Sequence, residues 1–241
     1  MEIHHFSNVL VFMTTRKCYP MGLLLILACS WSFQGVSTAY SQTTPSEGIQ
    51  PLLEINEQSI QSLIPSTVQP LIFSHEIEKF LQELEGSPPD WEQLHHPDMT
   101  EQSERLFQFN RQRDSARTDK EARLQQPVAF VWGGILRHYL PESQGFSIAL
   151  GPELTKTSWG IIRFKPVDLP NNLVAVPTPD LRTSLLVRQQ SQESIEIVVV
   201  CIGTLIADES LIYGFSHDGN HEGMILPVVS VHKMMYLLKP L

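Results

Sequence analysis

The chain has 241 residues, of which 42% are hydrophobic and 18% are charged, so it is long enough to bury a core of its own. No apolar run reaches the ~18 residues that span a bilayer, which excludes a polytopic membrane protein. The formal net charge of −9 is a poor match for a phosphate backbone, so we expect no nucleic-acid partner.

The first 41 residues have the three-part layout of a secretory signal peptide. Arg16 and Lys17 precede an apolar stretch over residues 21–33, and small residues then allow cleavage after position 41. The apolar stretch is too short for a stable membrane-spanning helix. If translation begins at Met13, the signal has a short, positively charged N-terminal region that contains Arg16 and Lys17. We therefore expect an exported protein, either periplasmic or secreted.

A second interpretation of the same segment is a lipoprotein signal. Residues Ile26–Cys29 resemble a bacterial lipobox, in which Cys29 is lipidated and becomes the mature N-terminus. Leu27 is not the small residue preferred there, and Trp31 continues the apolar stretch in place of a polar tether. A lipid anchor to the membrane at Cys29 is therefore the alternative to a soluble exported form.

Cysteine usage predicts one unpaired thiol in the mature chain. Cys18 and Cys29 lie inside the predicted signal, so cleavage leaves Cys201 without a disulfide partner. Cys201 follows three valines, and no Lys, Arg or His lies within eight residues of it. We expect a small core side chain and not a reactive thiol.

Residues 42–73 predict a flexible tether, and residues 74–125 predict a helical segment. Prolines and polar residues interrupt the first stretch, which therefore has little to bury. In the second stretch, apolar side chains at helical spacing begin after Ser74 and end at Gly86. A second helix begins with a capping sequence at Asp98.

The second helix interleaves arginines with acidic residues from Arg105 to Arg123. This pattern is typical of an exposed helix with ion pairs along its surface. Docking of a protein partner is the alternative, either on this helix or on a strand edge.

Residues 126–241 predict an antiparallel β domain of about seven or eight strands. Runs rich in Val, Ile, Leu and aromatic residues are separated by Pro, Gly, Asn, Asp and Ser, and they cover residues 128–140, 146–150, 159–165, 173–176, 181–188, 195–206, 211–216 and 224–238. No helical pattern separates them, so the strands should pair as antiparallel neighbours. We expect an α+β fold with two N-terminal helices followed by a mainly antiparallel sheet, curled into a sandwich or small barrel.

The run that begins at Ile195 predicts a central strand with two apolar faces. One face carries Ile195, Ile197, Val199 and Cys201, and the other carries Val198, Val200 and Ile202. Residues 207–210 then predict a turn into a hairpin with the strand after it. Pro227 predicts an edge or a bulge in the last strand because it lacks a backbone donor.

The sequence lacks the fingerprints of nucleotide cofactor sites, because neither GxGxxG nor GxxxxGK[ST] occurs. Residues 214–219 partly match a nucleophile elbow, but the second glycine comes one position late and another strand follows. Ser216 and His217 are chain neighbours and would face opposite sides of a strand, so they cannot easily pair as nucleophile and base. We expect no organic cofactor.

The densest polar cluster contains His217, His221 and Glu222, around a turn of Asp, Gly and Asn. A three-residue loop would place the two imidazoles opposite each other, with Cβ atoms ~5 Å apart and within reach of one metal ion such as zinc. A two-residue turn would instead pair His217 with Asn220 and put the imidazoles on opposite faces.

Two functions follow from these patterns. The leading hypothesis is an exported, non-catalytic protein that binds or scaffolds another protein of the cell envelope. The alternative is a secreted, metal-dependent hydrolase that uses His217, His221 and Glu222. A complete set of four protein ligands would also need the side chain of His232 or His138 near the hairpin tip. A plain polar hairpin tip is the simpler interpretation of the cluster.

Overall fold

The computed structural model describes residues 48–54, 60–117, 121–216 and 222–239. Within those ranges the chain forms eleven strands and five α-helices. The strands are β1 (Ile49–Glu54), β2 (Gln69–Pro70), β3 (Val128–Leu140), β4 (Gly145–Gly151), β5 (Thr155–Thr157), β6 (Gly160–Ile162), β7 (Lys165–Val167), β8 (Val174–Val176), β9 (Ile195–Leu205), β10 (Leu211–Phe215) and β11 (Gly223–Leu238). The helices are α1 (Ser74–Glu85), α2 (Trp91–Leu94), α3 (Met99–Arg117), α4 (Glu121–Leu124) and α5 (Pro179–Gln190).

Six strands close into a barrel in the order β1, β8, β4, β3, β9 and β11, and β1 also pairs with β11 to complete the circle. The ladders from β8 through β4, β3 and β9 to β11 are antiparallel. Strand β1 is parallel to both of its neighbours. The mixed α and β content and the small barrel agree with the expected class, whereas the ladders of β1 depart from the antiparallel expectation.

The barrel interior is filled with side chains. Phe130 stacks on Phe164 with ring centroids 4.5 Å apart. The buried Tyr236 hydroxyl donates to the carbonyl of Gly48 at 2.8 Å, and burial raises the pKa of this phenol. Helices α1 and α5 add apolar side chains to the same core, namely Ile77, Phe80, Leu81 and Leu84 from α1 and Leu181 and Leu185 from α5.

Strand β9 is buried on both faces. Its inward side chains Ile195, Ile197, Val199 and Cys201 belong to the main core, and its outward side chains Val200 and Ile202 lie in two smaller clusters. Val198 differs from the prediction because it is only half-buried. Cys201 is a free, buried thiol whose pKa is raised to about 12 by desolvation, so it is a core side chain.

Residues 48–54 and 60–73 are part of the folded barrel and its cover, which corrects the flexible tether predicted over them within residues 42–73. Leu52 of β1 is buried in the barrel core. Ile60 is buried against the outer faces of β9 and β11. Val68 is buried against the outer faces of β3 and β9. The few apolar residues of this stretch are spaced to cover a barrel face, a property that average composition does not reveal.

Helix α5 replaces the strand predicted over residues 181–188. It begins with Thr178 as N-cap and Pro179 at its first position. Leu181 and Leu185 are about one helical turn apart and both enter the core. The prediction was wrong because the run of Leu and Val outweighed the Thr-Pro-Asp start, which is a helix-initiation signal.

Strand β10 does not fold back on β9, so the hairpin predicted around residues 207–210 is wrong. Both strands run antiparallel to β11 and follow each other along it. The Ile206 N–H donates to the Val228 carbonyl at 3.0 Å, and the Val228 N–H donates to the Ser210 carbonyl at 3.0 Å. Residues 207–210 therefore connect two strands that pair with the same edge of β11. The hairpin partner of β10 is β11.

Pro227 lies where β11 changes neighbours. Before this residue β11 pairs with β10 and β6, and after it β11 pairs with β9 and β7. The missing N–H therefore falls at a junction between ladders, which corrects the edge or bulge predicted there. The irregularity in β11 lies further on, between Val231 and Lys233.

The order of two helices followed by the whole sheet is also corrected. The helix predicted from Ser74 to Gly86 is α1. The segment predicted as the second helix is described as α3 and α4, the short α2 precedes it, and β1 and β2 come before all of them. No helix in the described ranges is long and apolar enough to cross a bilayer.

We expect Val200→Lys to prevent folding. Val200 is fully buried beside Ile60 and Leu237, and an unpaired buried charge costs several kcal/mol against a typical stability of about 5–15 kcal/mol. Val198→Lys is the matched control, because the half-buried Val198 points to the same outer face. Circular dichroism melting distinguishes the two variants, and a Val200→Lys protein that melts near the wild-type temperature would contradict this burial.

Candidate functional site

Strands β10 and β11 form a hairpin whose tip carries the predicted polar cluster. The ladder extends to Ser216, whose N–H donates to the Glu222 carbonyl at 2.8 Å. This is the register that a three-residue loop requires, and it differs from that of a two-residue turn. His217 and His221 lie outside the described residues, so their role as metal ligands stays a prediction.

Glu222 is the predicted ligand that lies within the described residues. Its carboxylate pairs with the Lys156 ammonium of β5 at 3.3 Å. The side chains of Lys156 and Glu222 are 78% and 40% exposed, so this ion pair contributes little to stability. His95, which follows α2, packs edge-on against Phe215 with ring centroids 5.8 Å apart. The His95 imidazole therefore lies beside the end of β10 that is nearest the hairpin tip.

His232 and His138 do not come round to the hairpin tip. His232 lies ten positions after Glu222 along β11, and a strand rises ~3.3 Å per residue, so roughly 30 Å of strand separates them. Its Nε2 lies 3.1 Å from Thr204 Oγ1. His138 lies near the far end of β3, where its N–H donates to Ser147 Oγ at 3.1 Å. In the ranges that the structure describes, no three His, Cys, Asp or Glu side chains are grouped to hold a metal ion.

Trp91 of α2 supports the hairpin from the core side. Its indole N–H donates to the Trp159 carbonyl at 2.8 Å. Its ring lies 5.6 Å from the Phe215 ring and directly against the backbone of Gly223, where a Cβ atom would overlap the indole. Gly223 is therefore required by the close approach of the tryptophan to the strand.

Helix α3 covers the edge of β10 that faces away from β11. The Asn110 Oδ1 accepts a hydrogen bond from the Tyr213 N–H at 2.9 Å, and the Asn110 Nδ2 donates to the Tyr213 carbonyl at 3.0 Å. Arg117 Nη2 lies 3.5 Å from the Leu211 carbonyl. The asparagine amide thus occupies the place that a peptide group of a neighbouring strand would take.

A buried cluster of charges lies beside this covered edge. The Glu85 carboxylate at the end of α1 pairs with Arg113 at 3.1 Å and with Arg117 at 2.6 Å. The side chains of Glu85 and Arg117 are 1% and 3% exposed, and Asp114 also pairs with Arg117. Arg113 donates to the carbonyls of Glu85 and Ser87, which satisfies the C-terminus of α1. The helix that the sequence predicted to be exposed carries the expected ion pairs, but one of its faces is partly buried, with Gln102 and Arg117 as its buried residues.

The same contact leaves buried polar atoms unpaired. Among the described residues, Arg117 Nε, Ser210 Oγ and the Tyr213 hydroxyl have no hydrogen-bond partner. Burial raises the pKa of Tyr213, and the negative charge of Glu85 raises it further, so the phenol stays protonated. The contact between α3 and β10 is stabilised by ion pairs but is not fully satisfied.

The other face of the hairpin carries apolar side chains that lie outside the hydrophobic clusters of the described residues. The register pairs Ile212 with Leu226 and Gly214 with Met224, and Ile161 of β6 lies beside Met224. Strand alternation points the residues of β10 and β11 away from the core, where they are half-buried, whereas Ile161 is buried. We call Ile212, Gly214, Met224 and Leu226 the hairpin face. The sequence predicted the hairpin but not which of its two faces lies outside the core.

No protein-family model, no curated protein and no solved structure matches this chain. Its function is therefore argued from the residues of the hairpin and of the elements around it.

We expect Gly223→Ala to destabilise the protein by about 1–3 kcal/mol, because the added methyl group would overlap the Trp91 indole. Gly214→Ala is the matched control on the partner strand, where a Cβ atom meets nothing within 4 Å, and its effect should stay within about 0.5 kcal/mol. Urea unfolding of the wild type and both variants gives the comparison. Equal losses in the two variants would contradict the role of the tryptophan contact.

Proposed function

We propose that this chain is an exported, non-catalytic protein that binds or scaffolds another protein of the cell envelope. The observation that carries the proposal is the hairpin face, where half-buried apolar side chains lie together on one side of a sheet. The ion pair between Lys156 and Glu222 lies near the tip of the same hairpin. An apolar patch with a polar rim is typical of a protein-binding surface.

Export is the second part of the proposal, and it is supported by sequence alone. Residues 1–41 lie outside the described residues, and they carry Arg16, Lys17 and the apolar stretch of a signal. The proposed location is the periplasm or the exterior of the cell. Attachment to the membrane through a lipid on Cys29 is the alternative.

Binding through the hairpin face is tested with the mature chain, beginning at Gln42, immobilised as bait for an envelope extract. We expect one stoichiometric partner, and we expect Met224→Asp to weaken its binding at least about 10-fold because a carboxylate would have to be desolvated in the interface. Val187→Asp is the matched control, since Val187 is an exposed apolar side chain on α5.

Dissociation constants for the identified partner are measured with both variants after their melting temperatures are shown to match the wild type. Val187→Asp should bind within about 2-fold of the wild type. Recovery of no stoichiometric partner, or equal weakening by both substitutions, would overturn the proposal.

A second candidate is a secreted, metal-dependent hydrolase that uses His217, His221 and Glu222. The observation that favours it is the described register, because Ser216 opposite Glu222 is the pairing that the opposed-imidazole arrangement requires. Two imidazoles and a carboxylate would leave a position open for water on a zinc ion.

For a plain polar tip, we expect the combined change His217→Ala and His221→Ala to leave stability within about 0.5 kcal/mol of the wild type. Zinc content by elemental analysis, and the melting temperature with and without a chelator, are measured together. His232→Ala is the matched control because it removes an exposed imidazole remote from the tip. Stoichiometric zinc that is lost in the double variant and kept in His232→Ala would favour the hydrolase instead.

A further inference from the structure

We propose that the edge of β10 is a strand-addition site, where an extended segment of a partner protein pairs with β10 in place of α3. The inference rests on the proposed protein-binding function and specifies the form of the partner. It requires two arrangements of one element, with α3 either on the edge or displaced from it.

The hydrogen bonds of Asn110 show what the edge accepts. Its amide takes both the N–H and the carbonyl of Tyr213, which is the pair of bonds that one residue makes to a neighbouring strand. The same Nδ2 also donates to the Leu106 carbonyl of its own helix at 2.8 Å. A single side-chain amide therefore covers the centre of an edge that a strand could pair along its whole length.

Beyond Asn110, α3 contacts the strand through the rings of Phe109 and Tyr213, whose centroids are 5.1 Å apart, but its further hydrogen bonding to the backbone of the edge is weak. The Arg117 guanidinium is 3.5 Å from the Leu211 carbonyl, at the outer limit of a hydrogen bond. The Tyr213 hydroxyl and Arg117 Nε are buried at this contact without hydrogen-bond partners in the described part of the chain. An added strand would supply backbone donors and acceptors at Leu211 and Phe215 as well, so it competes with an incompletely satisfied cover.

The two faces of β10 specify the side chains of the partner segment. Alternate residues of an added strand would lie beside Tyr213 and Phe215 on the core side, and beside Ile212 on the hairpin face. Both positions favour β-branched or aromatic residues. Because the chain carries a net charge of −9, basic residues flanking the segment would favour the encounter. The partner is thus an extended segment with apolar alternation and basic ends.

The test uses the mature chain and a fluorescein-labelled peptide of alternating threonine and valine with lysine at both ends. We expect Asn110→Ala to bind this peptide at least about 10-fold more tightly than the wild type, since removal of the cover raises the fraction of chains with a free edge. Hydrogen exchange at the Tyr213 amide should accelerate in Asn110→Ala and slow again when the peptide is added.

Gln108→Ala is the matched control, because Gln108 is an exposed residue of the same helix whose amide donates to the Glu104 carboxylate of that helix at 2.6 Å. It should bind the peptide as the wild type does. A second control is the same peptide with every backbone nitrogen methylated, which keeps the side chains and removes the N–H donors of both edges. This peptide should not bind any of the proteins.

Asn110→Asp provides a second variant if Asn110→Ala fails to fold, because its carboxylate still accepts from the Tyr213 N–H but cannot donate to the carbonyl. It should also bind more tightly than the wild type. The inference is overturned if the folded Asn110 variant binds no more tightly than the wild type, or if the N-methylated peptide binds equally well. If an envelope partner binds through Met224 while the peptide test fails, this inference alone falls and the proposed function stands.

Discussion

Strand β11 runs over Gly223–Leu238, and its backbone donors and acceptors need partners along that whole length. Different neighbouring strands supply these partners at its two ends. The C-terminal part closes the barrel between β9 and β1, and the N-terminal part forms the hairpin with β10. Pro227, which has no donor, stands where these neighbours change. One strand therefore couples the barrel core to the hairpin, so the position of the hairpin depends on the closed barrel.

A helix with few apolar residues can still bury one face when its charges are paired. Arg113 and Arg117 of α3 pair with Glu85, and Asn110 bonds to the edge of β10. Together with the Phe109 ring, these polar groups hold α3 in place, whereas α1 is held by apolar side chains. Such a contact requires one particular arrangement of the charged groups. The free-energy cost of removing these charges from water offsets much of the attraction between them. This balance makes α3 a different kind of cover from the apolar helices that close the barrel.

The candidate site was predictable only in part. The polar composition of the hairpin tip, including Glu222, is visible in the sequence, and so is the turn that separates the two strands. The hairpin between β10 and β11 was predicted as well, but the predicted pairing of β10 with β9 was wrong, because these two consecutive strands lie end to end along β11. The second edge of β10 is covered by α3 instead, and the bonds of Asn110 to that edge could be recognised only in the tertiary structure.

The sequence by itself determined the elements whose signals are local. Alternation along β9 fixed its two buried faces, and the apolar spacing between Ser74 and Gly86 defined α1, because side-chain periodicity and capping act within a few residues. Tertiary structure decided the rest. Helix α5, the packing of the first strand and the burial of Arg117 each depend on surfaces contributed from distant parts of the chain, and their free energy comes from contacts that exist only when the barrel has closed.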